Sequence, residues 1–246
     1  MRRTLWFLFG VVMLNTHSAT AQLQHNPKAS TFGIEESRVF IEGKTRQSFW
    51  NIKNNSQQNY FYIVEVVDVD NHLNATKKSA RFLVTPPSGV LKPEENKALR
   101  VVRVKDDLSE QTETFSLLRL KLIPSFKSSE EKTRVQTMVT IFAKLFYRPE
   151  KIAVPDAINK AVSTLKYRHS KAQLIINNPS PYWLTLSSVK VNGVALTAEN
   201  KKAWMVGPGA DLPIPYRGVP HNVTVRTIQE NGIATMDRVV STGDKI

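Results

Sequence analysis

The residues that usually carry catalysis or bind metals are few and scattered in this sequence. It contains no cysteine, which removes thiolate nucleophiles and thiolate metal sites together. No Gly-x-Ser-x-Gly segment is present to hold a serine nucleophile. The histidines lie far apart, without the spacing of a zinc motif; they are His17, His25, His72, His169 and His221. We therefore predict a protein that is not an enzyme and that uses no cofactor and no metal.

One short segment resembles part of a nucleotide-binding loop. Glu42-Gly43-Lys44-Thr45 matches the end of a phosphate loop, but Arg38 stands where the first glycine of that motif belongs. Such a loop must also lead into a helix, and no helical pattern follows. The sequence favours a turn at the end of a strand.

The chain is strongly basic, with a net charge of +13 over 246 residues. A basic balance often indicates a nucleic-acid partner. Here the lysines and arginines are dispersed among strand-like segments, and no aromatic-and-basic motif of the RNA-binding type appears. We therefore predict no nucleic-acid binding and favour acidic protein partners or anionic surfaces.

The N-terminus has the pattern of an export signal. Arg2 and Arg3 precede an apolar stretch over 5–14, and Ala19-Thr20-Ala21 forms a small-x-small cleavage site. The apolar stretch is shorter than the roughly 20 residues that a membrane-spanning helix needs. We predict that residues 1–21 are a cleaved signal peptide and that the mature protein is exported without membrane insertion.

The elements that must position any functional residues are mainly strands. Short segments rich in β-branched and aromatic residues alternate with Gly, Pro and Asn turns. The predicted strands lie at 37–42, 48–54, 60–69, 99–104, 115–123, 135–147, 171–177, 183–191 and 223–230. Many short strands at this spacing predict an all-β fold made of immunoglobulin-like sandwiches.

Two further segments define the organisation. Residues 126–134 are polar and charged, which predicts a loop joining two neighbouring strands. Residues 155–165 have a weak amphipathic pattern bounded by proline, which we interpret as a linker turn and the start of a second domain. The boundary then falls near 148–155, giving an N-terminal domain at 22–148 and a C-terminal domain at 149–246.

Several motifs occur together in one order along the chain. Lys144-Leu145-Phe146-Tyr147-Arg148-Pro149 resembles the signature of periplasmic fimbrial chaperones of the chaperone–usher pathway (PapD-like). Upstream, the segment 36–43 contains Arg38 and is similar to the family's first strand. The segments Thr85-Pro86-Pro87, 113–124 and 178–182 are similar to further family motifs.

The resemblance implies a boomerang of two sandwiches whose cleft binds the C-terminal carboxylate of a fimbrial or pilus subunit. By position, Arg38 and Lys144 match the family's two carboxylate anchors. An arginine fork and a lysine ammonium both form charge-assisted hydrogen bonds with carboxylates. The alternative interpretation is that both are solvated charges at the ends of strands.

The resemblance also assigns a role to the strand before Lys144. In the family this strand complements a subunit sandwich that lacks its last strand, and its alternate side chains fill the subunit's groove. Strict alternation places Val135, Thr137, Val139 and Ile141 on one face. The alternative is that these side chains face the protein's own core.

A third implied feature is an interdomain charge cluster of Arg148, Glu113 and Glu230, which fixes the angle between the domains.

Together these features predict a periplasmic chaperone that binds subunits by donor-strand complementation and delivers them to an outer-membrane usher. A self-capping homodimer is left open, and the modest 126–134 loop favours the short-loop class. The alternative function is an immunoglobulin-like adhesion or structural module, which would have no reason to place two cations at a domain junction.

Overall fold

The fold is taken from a computed structural model, which describes residues 32–125, 138–170, 172–197 and 204–243. The predicted signal peptide, the whole of the predicted 126–134 loop, Val135 and Thr137 lie outside the described residues. Among the residues described, no helix is long and apolar enough to cross a membrane.

The first sandwich is built from strands that precede Pro149. They are β1 (Phe32–Ile34), β2 (Arg38–Glu42), β3 (Gln47–Asn54), β4 (Tyr60–Val69), β5 (Ala75–Lys78), β6 (Phe82–Thr85), β7 (Ser88–Leu91), β8 (Asn96–Arg103), β9 (Thr114–Pro124) and β10 (Val139–Arg148). One sheet has the order β1-β3-β8-β6. The other has the order β2-β10-β9-β4-β5, with β7 paired to β4.

The core of this sandwich follows from the two-residue period of its strands. Trp50 and Ile52 of one sheet are fully buried, as are Leu118 and Leu120 of the other. They belong to a single apolar cluster between the two sheets. Because β9 and β10 pair antiparallel, the prediction that the 126–134 loop joins neighbouring strands is confirmed.

The second sandwich contains the remaining strands. They are β11 (Lys166–Ser170), β12 (Gln173–Asn177), β13 (Leu184–Val191), β14 (Val194–Ala195), β15 (Trp204–Val206), β16 (Asp211–Pro215), β17 (Val223–Thr227), β18 (Arg238–Val239) and β19 (Ser241–Thr242). Their sheets have the orders β16-β12-β11-β19 and β14-β13-β17-β18, with β15 paired to β13. A second apolar cluster fills the space between them. The predicted all-β fold of two sandwiches is confirmed.

The segment 155–165 differs from its interpretation as a linker turn. After a short 3₁₀ turn at Glu150–Ile152, it forms the helix α1 (Ala157–Ser163). Ala157, Ile158, Ala161 and Val162 recur at helical spacing and are buried in the core of the second sandwich. Tertiary burial of this narrow apolar face, rather than helix propensity, stabilises so short a helix.

The Asn-Gly pairs form turns, as predicted. Asn192 and Gly193 both have positive φ angles, 52° and 82°, which is the geometry of a type I′ hairpin turn between β13 and β14. Gly232 also has φ of 82° and lies in the turn that follows β17. Both glycines adopt a backbone conformation that other residues rarely accept.

Two edge strands differ in how they end their sheets. β2 runs parallel to β10 only from Arg38 beside Lys144 to Glu42 beside Arg148. Within the described residues, 139–143 of β10 pair with β9 alone and leave their other edge open. β16, the edge strand of the second sandwich, contains Pro213 and Pro215.

Candidate functional site

The outer face of β10 carries the charged residues of the site. Val139, Ile141, Ala143 and Leu145 belong to the core side of the strand, as the apolar cluster shows. Alternation therefore places Lys144 and Arg148 on the opposite side, toward the second sandwich. The paired residues of β2 continue this face, so one surface holds Arg38 beside Lys144 and Glu42 beside Arg148.

Arg38 and Lys144 form a pair of cations without a carboxylate partner among the described residues. Arg38 is only 8% exposed, and its Nη1 donates to the carbonyl oxygen of Ile228 at 3.2 Å. Its Nε is buried and has no hydrogen-bond partner in the described part of the chain. The Lys144 ammonium makes no hydrogen bond or ion pair with any described residue, although its backbone N–H donates to Ser37 at 3.0 Å. The site therefore has free donors and an excess of positive charge.

The electrostatics of the pair favour an anion. Burial lowers the pKa of Lys144 to about 8, and the neighbouring Arg38 contributes to this shift. Burial likewise lowers the pKa of Arg38, against the attraction of Glu230 and Glu113. An anion placed between the two cations would replace the lost hydration of both.

The open edge of β10 leads directly to this cation pair. Val139 and Ile141, two of the predicted donor residues, are half-buried and pack against the margin of the protein's own core. On the other face, Phe142 is 46% exposed and Met138 is 52% exposed. The strand therefore has apolar side chains on both faces at the place where no other described strand pairs with this edge.

An open cleft of about 1420 Å³ lies between the sandwiches. Phe142, Lys144 and Leu117 line it from the first sandwich, and Trp183 and Trp204 line it from the second. One cation of the pair and the aromatic ring beside it thus face a space large enough for a peptide chain.

Arg148, unlike Arg38 and Lys144, forms ion pairs with carboxylates of the protein itself. Its side chain is 4% exposed and its Nε donates to Glu113 at 2.6 Å. Its Nη1 donates to Glu42 and to Glu230, each at 3.0 Å. The structure thus brings together Arg148, Glu113 and Glu230 from both sandwiches. It adds Glu42, which the sequence analysis missed, although the alternation of β2 places Glu42 on the same face as Arg38.

Glu113 is also held by the second sandwich. Its Oε2 accepts a hydrogen bond from the backbone N–H of Trp183 at 2.8 Å, and its own N–H donates to Pro181 at 2.9 Å. The ring of Trp183 packs against Phe115 at 5.2 Å between centroids. Burial raises the pKa of Glu113, while Arg148 and the Trp183 N–H oppose that rise. Ionic, backbone and aromatic contacts therefore join the two sandwiches.

The remaining motifs form no site. Gly43, with φ of 58°, lies in a turn after β2, and Thr45 donates its N–H to Glu42. No helix follows there, so the predicted turn at a strand end is confirmed. Within the part of the chain that the structure describes, no group of three or more His, Cys, Asp or Glu residues could hold a metal ion.

The family assignment follows from comparison with known proteins. Residues 31–153 match the family described as "Pili and flagellar-assembly chaperone, PapD N-terminal domain". Residues 160–238 match "Pili assembly chaperone PapD, C-terminal domain". The chain belongs to this family of pilus assembly chaperones.

Curated relatives agree with this membership of the chaperone family. The chain is 30% identical over 207 residues to "Probable fimbrial chaperone protein ElfD" of Escherichia coli O157:H7, covering 82% of this chain and 83% of the relative. It is 29% identical over 201 residues to "Chaperone protein FimC" of Escherichia coli O6:H1, covering 81% of this chain and 79% of the relative.

Solved structures show the same fold. The periplasmic chaperone SfaE is matched over 86% of this chain and 100% of its own, with a TM-score of 0.70 and 22% identity. The SafB chaperone, solved with SafA pilin of Salmonella enterica, represents a second match, with a TM-score of 0.74 and 21% identity over 87% of this chain and 97% of that chain. The two sandwiches are therefore immunoglobulin-like, as predicted. The protein is a chaperone of pilus assembly and not an enzyme.

Proposed function

We propose that this chaperone holds pilus subunits by donor-strand complementation along β10 and anchors their C-terminal carboxylate between Arg38 and Lys144. The observation that carries the proposal is that an unpaired strand edge leads directly to a pair of cations. The open edge of β10 at 139–143 ends at Arg38 and Lys144, neither of which forms an ion pair with a described carboxylate.

The open edge supplies main-chain donors and acceptors for an added strand. An unpaired strand edge is a template for another chain, and natural proteins usually protect such edges. Here the edge is flanked by Val139, Ile141 and Phe142, whose apolar side chains would be covered by a bound subunit. Main-chain hydrogen bonds give such a complex its affinity, while alternate side chains give it specificity. We extend the donor segment to Val135 and Thr137, which continue the same alternation in the sequence.

The cation pair would fix where the added strand stops. A chain-terminal carboxylate has two oxygens, which match the free donors of Arg38 and the ammonium of Lys144. Hydrogen bonds to charged groups contribute roughly 1.5–3 kcal/mol each. Because only the last residue of a chain has this carboxylate, the pair would set the register of the subunit on β10.

The Arg148 cluster would hold the cleft at a fixed angle. Glu113 and Glu42 bind Arg148 from the first sandwich, and Glu230 binds it from the second. We propose that this cluster orients the second sandwich over the carboxylate site.

The cellular setting is proposed on the same basis. The sequence pattern of residues 1–21 and the periplasmic location of SfaE support export to the periplasm. There the chaperone would cover the groove of each subunit and deliver the subunit to an outer-membrane usher. Without a subunit, the open edge of β10 is a surface through which two copies could cap one another as a homodimer.

The test is co-expression with the pilus subunit encoded beside the chaperone gene. We expect Lys144→Ala and Arg38→Ala each to weaken the purified complex by about 10- to 100-fold, the loss of a hydrogen bond to a charged group. Lys53→Ala and Arg100→Ala are matched controls, because these exposed cations lie on β3 and β8, away from the cleft.

Circular dichroism should show all four variants folded, and hydrogen exchange should show new protection at 139–143 in the wild-type complex. Complexes that survive both cleft substitutions would overturn the carboxylate anchor. Absence of protection at 139–143 in a stable complex would overturn strand donation. Either result would leave the chain a pilus assembly chaperone that holds its subunits by another arrangement.

A further inference from the structure

We infer that the second sandwich positions the carboxylate site through the turn at 228–234, whose Ile228 carbonyl orients Arg38 beside Lys144. This inference rests on the proposed role of Arg38 and Lys144. It assigns to the 228–234 turn a task beyond linking two strands: it completes a binding site that lies on the other sandwich.

The turn is a rigid structure. Ile228 forms an isolated β-bridge with Ala234, and the N–H of Gln229 donates to Ile233 at 2.8 Å. At its base, the N–H of Thr235 donates to Thr227 at 2.7 Å, and the Thr227 N–H donates to the Thr235 hydroxyl at 3.0 Å. Both threonines are buried. The Ile228 carbonyl therefore has a defined place relative to the second sandwich.

The same turn contacts the first sandwich beside the cation pair. Its Glu230 accepts a hydrogen bond from Arg148 at 3.0 Å. A methyl group added at Gly232 would lie 3.8 Å from the hydroxyl oxygen of Ser37. Ser37 in turn accepts the backbone N–H of Lys144. The turn is thus seated against the residue next to Arg38.

Arg38 depends on this turn for its orientation. Its guanidinium has five N–H donors, and the one hydrogen bond found for it among the described residues is that to Ile228. The buried Nε has no partner among the described residues, so the described part of the first sandwich offers no second bond to hold the group. A side chain fixed before the ligand arrives loses less entropy on binding. Displacing the turn should therefore weaken carboxylate recognition without changing β10.

Two Asn-Gly turns of the second sandwich allow a matched test. Gly232 and Gly193 both have φ of 82°, so a valine strains both backbones alike. At Gly232 an added Cβ would already be in van der Waals contact with the Ser37 hydroxyl oxygen, so the two methyl groups of valine should crowd the first sandwich, whereas at Gly193 nothing lies within 4 Å. Gly232→Val should lift the 228–234 turn from the first sandwich, and Gly193→Val should not.

The probe is a pair of ten-residue peptides with the C-terminal sequence of the co-purified subunit, one ending in a carboxylate and the other in a carboxamide. The ratio of their affinities isolates carboxylate recognition. We expect Gly232→Val to lower this ratio by about 3- to 10-fold, equivalent to one neutral hydrogen bond, and Gly193→Val to leave it unchanged. Affinity for the carboxamide peptide should be the same in all proteins.

A second readout is the pKa of the Lys144 ammonium in the free protein, measured by NMR. Arg38 helps to lower this pKa, so release of Arg38 from Ile228 should raise it in Gly232→Val. If Gly232→Val does not fold, Ser37→Leu displaces the turn from the other side, at an exposed residue of the first sandwich.

The outcomes separate the two proposals. An unchanged affinity ratio and an unchanged Lys144 pKa in a folded Gly232→Val or Ser37→Leu variant would overturn the positioning role alone. A wild-type protein that binds both peptides equally would overturn the carboxylate anchor itself, and the positioning role with it.

Discussion

Lys144 and Arg148 lie on the same face of β10, but their electrostatic surroundings differ. Arg148 is surrounded by Glu113, Glu42 and Glu230. Lys144 has another cation, Arg38, as its neighbour in the sheet and no described carboxylate. Arg148 is buried, whereas Lys144 is half-buried.

The difference separates charges that are paired within the fold from charges that we propose bind a ligand. Taking a charged group out of water is costly unless a partner compensates for it. The Arg148 site has its partners within the protein, so it contributes to the native structure. The Lys144 site has none among the described residues, and in the proposed function the subunit carboxylate supplies the compensation.

The largest effect is expected at Arg148, which has three carboxylate partners, although its buried Nη2 has no hydrogen-bond partner among the described residues. Arg148→Met should lower the free energy of unfolding by about 3–5 kcal/mol, because it leaves the Glu113 carboxylate buried without its partner. Lys144→Met should cause no loss, since this cation has no partner to abandon. Urea denaturation of both variants measures the contrast.

A double variant sharpens this test. Adding Glu113→Gln to Arg148→Met removes the lone charge while keeping an acceptor for Trp183, so it should recover part of the loss. Equal losses for Arg148→Met and Lys144→Met would contradict the distinction between the two sites.

The next effect is a pH dependence that only the unsatisfied site should show. A carboxylate binds the charged form of Lys144, whose pKa in the free protein is about 8. Subunit affinity should therefore fall by about tenfold from pH 7 to pH 9, as this ammonium loses its proton. Titration calorimetry or fluorescence anisotropy measures it. Lys144→Arg keeps its charge and should abolish the fall; a fall that persists in that variant would assign it to another group.

Deprotonation of Lys144 lowers subunit affinity but should raise the free energy of unfolding of the free protein. The folded-state pKa of Lys144 lies below its ordinary value of 10.5, so the folded state holds fewer protons between pH 8 and that value. The free energy of unfolding contributed by Lys144 therefore rises with pH across this window. Lys144→Met should lack that rise.

The smallest effect is expected at the margin of the Arg148 site. Glu42 has a side chain 48% exposed, and exposed ion pairs contribute about 0.2–1 kcal/mol. Glu42→Gln should therefore lower the free energy of unfolding by less than about 1 kcal/mol, as measured by urea denaturation. A loss as large as that of Arg148→Met would mean that Glu42, rather than Glu113, is the principal partner.

Much of the fold was predictable because strand periodicity is a local signal. Each predicted strand segment overlaps an observed strand, as at Tyr60–Val69, which agrees at both ends. Short strands such as β5 and β18 were missed, because two to four residues give too little alternation to detect. Helix α1 was missed for a related reason: burial by residues distant in sequence stabilises it.

The site was predictable where motif resemblance marked its residues. Arg38 and Lys144, and likewise Arg148, Glu113 and Glu230, lie together although they are far apart in sequence; their roles stay predictions. The sequence could not identify the Ile228 carbonyl or the contacts of Trp183 with Glu113. Backbone groups have no side-chain signature, and their pairing depends on how the sandwiches dock.

The prolines of β16 reduce the tendency of the second sandwich to aggregate through its exposed strand edge. Ile214 pairs with Leu174 on β12, and the N–H of Tyr216 donates inward to Ala172. By alternation, Pro213 and Pro215 occupy the positions whose amides would point outward, and proline has no amide hydrogen to offer. An incomplete subunit would therefore meet few backbone N–H donors with which to pair at the β16 edge. Strand pairing with subunits would then occur at the first sandwich, and aggregation through the second sandwich would be disfavoured.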